Sequence, residues 1–308
     1  NILGEKNVPL RSNLKQEKWN MLEVIGLSKK YGKTVAAEDI RFAVPDGRIG
    51  ILLGPNGAGK STVIKSIAGL LRFQGAVRIQ GMDARTLEAK RCFAYVPELP
   101  YMYDALTVRE HIEFITRAYA VEVSEEERNH LLEQFELADK QEKLGNELSK
   151  GMMQKVSICC ALVIRPKVIL LDEPMVGLDP TAIKELKRVL LELREKGCTI
   201  LISTHMLEMV KELWDVTFVM DKGHILGTYA RESLGNEDLE ELYFSVTGQT
   251  AQKAQPGETA QSGQKAQSGE AAQSGQKAQP GETAQCGQTM QSGEAAQSGQ
   301  KTQSGEAA

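Results

Sequence analysis

No apolar run in this 308-residue chain approaches the roughly 18 residues that a membrane-spanning helix requires. The longest candidate, Val156 to Ile164, is closed by Arg165-Pro166. Cysteines are few and unpatterned: Cys92, Cys159, Cys160, Cys198 and Cys286 are odd in number and lack CxxC spacing, which argues against a disulfide framework and a zinc knuckle. A reducing cytoplasm suits them. A basic excess is also missing, since the formal net charge is −4, so the charge balance gives no sign of a nucleic-acid partner. Residues 1–20 lack the charged-then-apolar layout of a secretory signal and are expected to be an upstream extension or a disordered leader.

Large apolar residues are missing from the other end. Residues 248–308 contain only Gly, Gln, Ser, Ala, Thr, Glu, Lys, two Pro, one Cys and one Met, with glycine at every sixth position from Gly257 to Gly305. Repeats of this length can stack as a solenoid, but these carry no apolar residue to form its core, so a disordered low-complexity tail is expected. The chain's apolar residues, 41% of the total, belong mainly to residues 21–247, which predict one globular domain with sub-lobes.

Within that domain, Gly54-Pro55-Asn56-Gly57-Ala58-Gly59-Lys60-Ser61-Thr62 follows the apolar run Ile49, Ile51, Leu52, Leu53 and opens a helical pattern (Val63, Ile64, Ile67, Ala68, Leu71). A glycine-rich loop between strand and helix is the setting for binding a nucleoside triphosphate. Its backbone N–H groups turn inward and the helix N-terminus adds positive potential. Lys60 is placed to neutralise the β- and γ-phosphates and Ser61 to offer a hydroxyl to Mg²⁺. A second apolar run, Lys167 to Leu171, ends in Asp172 and Glu173. Adjacent strand residues point to opposite faces, so the two carboxylates can divide the work. Asp172 serves the Mg²⁺ shell beside Ser61, and Glu173 accepts a proton from the water attacking the γ-phosphate.

The remaining pattern is α/β. Alternation at Ile40, Phe42, Val44 and at Val77, Ile79 predicts strands of a small antiparallel lobe. Thr107 with Glu110 and Ser124 with Glu127 read as capping boxes in a helical insertion over about 98–165. Helical periodicity over Pro180 to Lys196, closed by Gly197, lies between two buried strands and predicts a right-handed βαβ crossover. Val216 to Met220 and Ile225 to Tyr229 flank Asp221-Lys222-Gly223 as a hairpin.

The order Tyr31, the 54–62 loop, Tyr95-Val96-Pro97-Glu98, Leu148-Ser149-Lys150-Gly151-Met152, Leu171-Asp172-Glu173-Pro174, Gly177-Leu178-Asp179-Pro180 and Ser203-Thr204-His205 resembles the nucleotide-binding subunits of ATP-binding cassette (ABC) transporters. The resemblance runs from Met21 to about Gly248. It implies a phosphate-loop ATPase with a RecA-like α/β core, an antiparallel β subdomain and a helical subdomain, binding ATP and Mg²⁺. By the same resemblance Tyr31 stacks on adenine, and Ser149 and Gly151 contact the γ-phosphate held by an opposite subunit. Asp179 couples the two sites of the dimer, and His205 orients the attacking water. The implied partners are a second copy or a paralogous subunit and a separate membrane permease, with no nucleic acid, at the cytoplasmic face of the membrane. The rival reading is a soluble ATPase of the same type acting on nucleic acid or the ribosome. One cassette without sustained heptads disfavours it. Two positions depart from the family pattern. Lys150 and Met152 give an LSKGM signature, similar to that of exporter subunits with a separate permease. Glu98 stands where glutamine is usual; it can still bind Mg²⁺ but cannot donate a hydrogen bond.

Overall fold

The computed structural model describes residues 20–234 and 239–248. The chain divides into units Asn1–Lys253 and Ala254–Ala308, and the described residues all belong to the first. Apart from Asn20 and Gly248, the expected leader and repeat tail lie outside the described residues.

The period-two patterns build the smaller sheet. β1 (Asn20–Tyr31) and β2 (Thr34–Pro45) pair antiparallel. After β3 (Ile49–Leu53) and α1 (Lys60–Ile67), β4 (Gln74–Ile79) pairs with β1, and β5 (Met82–Asp83) closes the order β2-β1-β4-β5. On β2, Ile40, Phe42 and Val44 are buried while Arg41 is exposed, as alternation requires.

Next come α2 (Leu87–Lys90), β6 (Phe93–Val96), α3 (Val108–Tyr119), α4 (Glu125–Gln134) and α5 (Lys150–Val163). They are followed by β7 (Val168–Asp172), α6 (Pro180–Glu195), β8 (Thr199–Thr204) and α7 (Leu207–Val210). β9 (Val216–Asp221), β10 (His224–Ala230), α8 (Arg231–Leu234) and α9 (Leu239–Thr247) complete the described elements. The larger sheet has the order β10-β9-β3-β8-β7-β6. Its pairs are parallel except β9 with β10, the expected hairpin. Every residue of β3, β7 and β8 is buried, because both sheet faces are covered. Leu170 and Leu201 face α1 and the antiparallel sheet, with Phe42 stacked on Phe218 at 4.5 Å between ring centroids. Ile169, Leu171 and Ile202 face the helical layer of α5 and α6. Among the described residues no helix is long and apolar enough to cross a membrane.

Two local expectations change. The helical spacing drawn to Leu71 overruns α1, which ends at Ile67; Gly69, at φ +77°, turns the chain away. Thr107 and Glu110 form the full capping box, each side chain accepting the other's backbone N–H at 3.2 and 2.8 Å. Ser124 forms only half of one, accepting the Glu127 N–H at 3.1 Å. The Glu127 carboxylate is engaged by Arg165 instead, at 2.6 Å from Nη2 to Oε1, a charge-assisted bond that outcompetes a neutral amide.

Candidate active site

The 54–62 loop leaves β3 at the C-terminal edge of the parallel strands, where ligands of open α/β sheets bind. Its glycines are demanded by close approach as well as by any ligand. A Cβ on Gly54 would lie 2.1 Å from the Met220 carbonyl oxygen, and one on Gly59, at φ +104°, would lie 2.1 Å from that of Ala36. The Gly54 N–H donates to the Thr204 carbonyl and the Gly223 N–H to that of Ala58, which pins the loop to β8 and to the β9–β10 turn. α1 starts at Lys60 with Gly59 as N-cap and no side-chain cap, so its first turn faces the loop's concavity without a protein oxygen from a cap.

Lys60 is buried inside this loop. Its Nζ donates to the carbonyls of Gly54 at 2.9 Å and Pro55 at 3.2 Å, and lies 3.3 Å from Glu173 Oε1. Asp172 is fully buried at the end of β7. Its Oδ1 accepts from Ser61 Oγ at 2.9 Å and from Ser203 Oγ at 2.5 Å, while Oδ2 is buried with no partner. Glu173, the next residue, leaves the strand at φ +47°. A non-glycine residue in the left-handed region costs on the order of 1–3 kcal/mol and persists where surrounding bonds over-determine it. Here its N–H donates to the Ser203 carbonyl at 3.0 Å. Its carboxylate accepts from Thr204 Oγ1 at 3.1 Å and from His205 Nδ1 at 3.0 Å. A carboxylate only accepts, so Nδ1 of His205 carries a proton, and in the neutral ring Nε2 is the acceptor.

Lys60, Ser61, Asp172, Glu173 and His205 lie in one bonded group, with Ser203 linking Asp172 to Glu173. Gly54 and Pro55 belong to it through Lys60, whereas Tyr31, residues 148–152, Asp179 and Glu98 stand apart from it. Tyr31 ends β1 about half exposed, with Lys29 Nζ 5.0 Å from its ring centroid. Leu148 is buried, and Ser149 caps α5 by accepting the Met152 N–H at 3.3 Å. Lys150, Gly151 and Met152 form the first turn of α5. Among the described residues no hydrogen bond joins 148–152 to the 54–62 loop. Asp179 caps α6 through the Ala182 N–H at 2.9 Å, and this bond, then the Lys155 ammonium, holds its carboxyl below the usual range. Glu98 is half-buried beyond β6.

Sequence reasoning passed over three contributors. Lys155 bridges Asp179 and Glu136, each at 2.9 Å, tying α5 and the end of α4 to the loop before α6. Gln154 Nε2 donates to the carbonyls of Pro97 and Pro174, both at 3.4 Å, spanning the loops after β6 and β7. Ser203 faces Asp172 in the β7–β8 register, a pairing that only the strand alignment reveals.

Loop, sheet and buried carboxylates define a phosphate-loop ATPase. The family described as "ABC transporter" matches residues 37–176. The chain is similar to the ABC-type transporter ATP-binding protein EcsA of Bacillus subtilis (strain 168), 34% identical over 243 residues, covering 75% of this chain and 98% of the relative. It is also similar to the SkfA peptide export ATP-binding protein SkfE of the same organism, 35% identical over 209 residues, covering 67% and 87%. A solved structure of an ATP-binding subunit of an ABC transporter is 36% identical with a TM-score of 0.68, covering 74% of this chain and 99% of its own. The chain belongs to the ATP-binding subunits of ABC transporters. It binds ATP, and its ATPase activity is coupled to transport.

Proposed function

We propose that this chain is the ATPase of an exporter whose permease is a separate polypeptide, and that the Lys60–Glu173–Asp172 group is its hydrolytic centre. The observation that carries the reading is that one buried cluster holds a phosphate-loop lysine, a hydroxyl–carboxylate pair and a second, independently held carboxylate within hydrogen-bond reach. Loop residues 54–62 would receive the phosphates and Tyr31 the adenine. Glu173 accepts the proton of a water whose oxygen bonds to the γ-phosphorus as the bond to the bridging oxygen of ADP breaks, and His205 Nε2 orients that water.

The donors present fit Mg²⁺. Ser61 Oγ and the unpartnered Asp172 Oδ2 are hard oxygens at one place, with Glu98 a further candidate. Among the described residues no group of three or more His, Cys, Asp or Glu could hold a metal unaided, which suits an ion that shares its ligands with phosphates and water. When bound it supplies positive charge to the β- and γ-phosphate oxygens.

Ser149 and Gly151 at the start of α5 would complete the site of an opposite subunit, a second copy or a paralogue, and Asp179 would link the two sites. The permease reading is supported by an aromatic patch beside Glu98. Leu99, Tyr101, Tyr103 and Phe114 are exposed, and Tyr103 packs edge-on against Phe114 at 5.6 Å. His111 fixes this patch: Nε2 accepts the Tyr103 N–H at 2.9 Å and Nδ1 donates to the Thr107 carbonyl at 2.7 Å. Such a patch fits an apolar helix of a permease, and on this reading the subunit would work at the cytoplasmic face of the membrane. Export is supported by the name of one relative, a peptide export protein.

The test is Glu173→Gln. Hydrolysis should fall by on the order of 10² to 10⁴ while ATP binding persists. The variant should run as an ATP-dependent dimer in size-exclusion chromatography with light scattering. Near-normal turnover would remove Glu173 from the mechanism. An ATP-saturated monomer whose hydrolysis responds to RNA or ribosomes would favour the soluble rival.

A further inference from the structure

Tyr95 Oη and Asp172 Oδ2 are buried near the proposed centre with no partner, as is Gln154 Oε1 beside the loops after β6 and β7. Tyr95 and Asp172 lie on the same side of the sheet. Tyr95 on β6 is in register with Leu170 on β7, and Leu170 and Asp172, two residues apart, share the face covered by α1. Tyr95 packs against the cluster of Phe93, Val168 and Leu170, so its ring lies on the side of Ser61 and Asp172. Asp172 Oδ1 is already occupied by Ser61 and Ser203; only Oδ2 is available.

The two groups also feel each other's field. Burial first, then the charges of Asp172 and Glu98, hold the Tyr95 phenol well above its ordinary pKa. At neutral pH Tyr95 is therefore a neutral O–H donor within the field of two carboxylates, Asp172 and Glu98. A buried donor and a buried acceptor that do not bond directly are commonly joined by a water, which needs two to four polar partners. Tyr95 Oη, Asp172 Oδ2 and Glu98 supply them. Mg²⁺ keeps several of its waters in nucleotide sites, and Asp172 is a proposed metal ligand.

We propose that Tyr95 is a positioning residue of the metal site, its hydroxyl donating to a metal-bound water that Asp172 Oδ2 also holds. The inference rests on Ser61 and Asp172 as the protein side of the Mg²⁺ site. Removing the hydroxyl leaves the ring's packing in place but loosens that water, and with it the metal's contribution to nucleotide binding.

The experiment measures the affinity of the full chain for a non-hydrolysable fluorescent ATP analogue, with Mg²⁺ and with EDTA, for wild type, Tyr95→Phe and Asp172→Asn. The ratio of the two affinities reports the metal. Tyr95→Phe should lower that ratio by about three- to tenfold, with the EDTA affinity and melting temperature unchanged, and Asp172→Asn should lower it further. An unchanged ratio in Tyr95→Phe beside a reduced one in Asp172→Asn overturns the role of Tyr95 and leaves the metal site standing. Unchanged ratios in both overturn the metal site and this inference together. A fall of equal size in EDTA would make Tyr95 a packing residue only.

Discussion

A buried ammonium has to be paired, and Lys60 finds its partners in two loop carbonyls and the Glu173 carboxylate. In the proposed mechanism a triphosphate entering the loop would offer a denser anion, and Lys60 would exchange Glu173 for phosphate. Glu173 would then keep Thr204 and His205 as its partners. Lys60→Ala should thus weaken ATP affinity itself by about 10- to 100-fold. Asp172→Asn should instead shift the Mg²⁺ concentration needed for hydrolysis upward, because it alters the hydroxyl–carboxylate pair and not the phosphate contact. ATP and Mg²⁺ titrations of the two variants separate these outcomes, and identical behaviour in both would refute the division of roles. This much was visible in sequence, since loop, strand-end carboxylates and the histidine after β8 each sit at a fixed offset from an apolar run. The second ring of contacts was not. Ser203 reaches Asp172 only through the β7–β8 register, and Tyr95 is set on the same face of the sheet as Asp172 only by the β6–β7 register.

Elements were legible where one local rule decided them and less so where tertiary partners competed. β3, β7 and β8 are unbroken apolar runs and α6 has its periodicity, its Asp179 cap and Gly197 beyond its end, so each follows from sequence. α1 stops short because Gly69 ends it, although apolar spacing continues. Ser124 makes half a box because Arg165, 38 residues from Glu127, takes the carboxylate. Lys155 is the clearest case, being one charge in α5 whose meaning comes from Asp179, before α6, and Glu136, after α4. The α6 cap gives a test at this scale. Asp179→Ala removes both the cap and the ion pair and should cost about 0.5–2 kcal/mol, whereas Asp179→Asn keeps a capping oxygen and should cost much less. The Asp179 carboxyl is held below its ordinary value, so its contribution is complete above that ordinary value, near pH 4, and is lost as pH falls through the depressed one. Denaturant melts at pH 7 should show the ordering Asn above Ala. Equal losses would mean that the ion pair with Lys155, not the cap, is what stabilises the end of the loop.

At the scale of the whole molecule, the boundary between what the domain needs and what it carries is expected after α9. That helix places Leu239 and Tyr243 in the core that also holds Val210, Leu213 and Trp214, and Glu240 Oε2 pairs with Lys211 at 3.1 Å. The sequence beyond Gly248 offers no large apolar side chain except one Met, so it has almost nothing to contribute to such a core. Two truncations should therefore behave differently. Ending the chain at Gly248 should leave the melting temperature and the basal ATPase rate near those of the full chain. Ending it at Leu234 removes two buried side chains worth about 1.5–3 kcal/mol each, a loss that should lower the melting temperature by on the order of 10 °C in a domain of this size. Calorimetry of the full chain and both truncations, with ATPase rates on the same preparations, decides the matter. A large loss already at Gly248 would show that the repeats are part of the folded unit, and a neutral result at Leu234 would show that α9 is an appendage and not a part of the core.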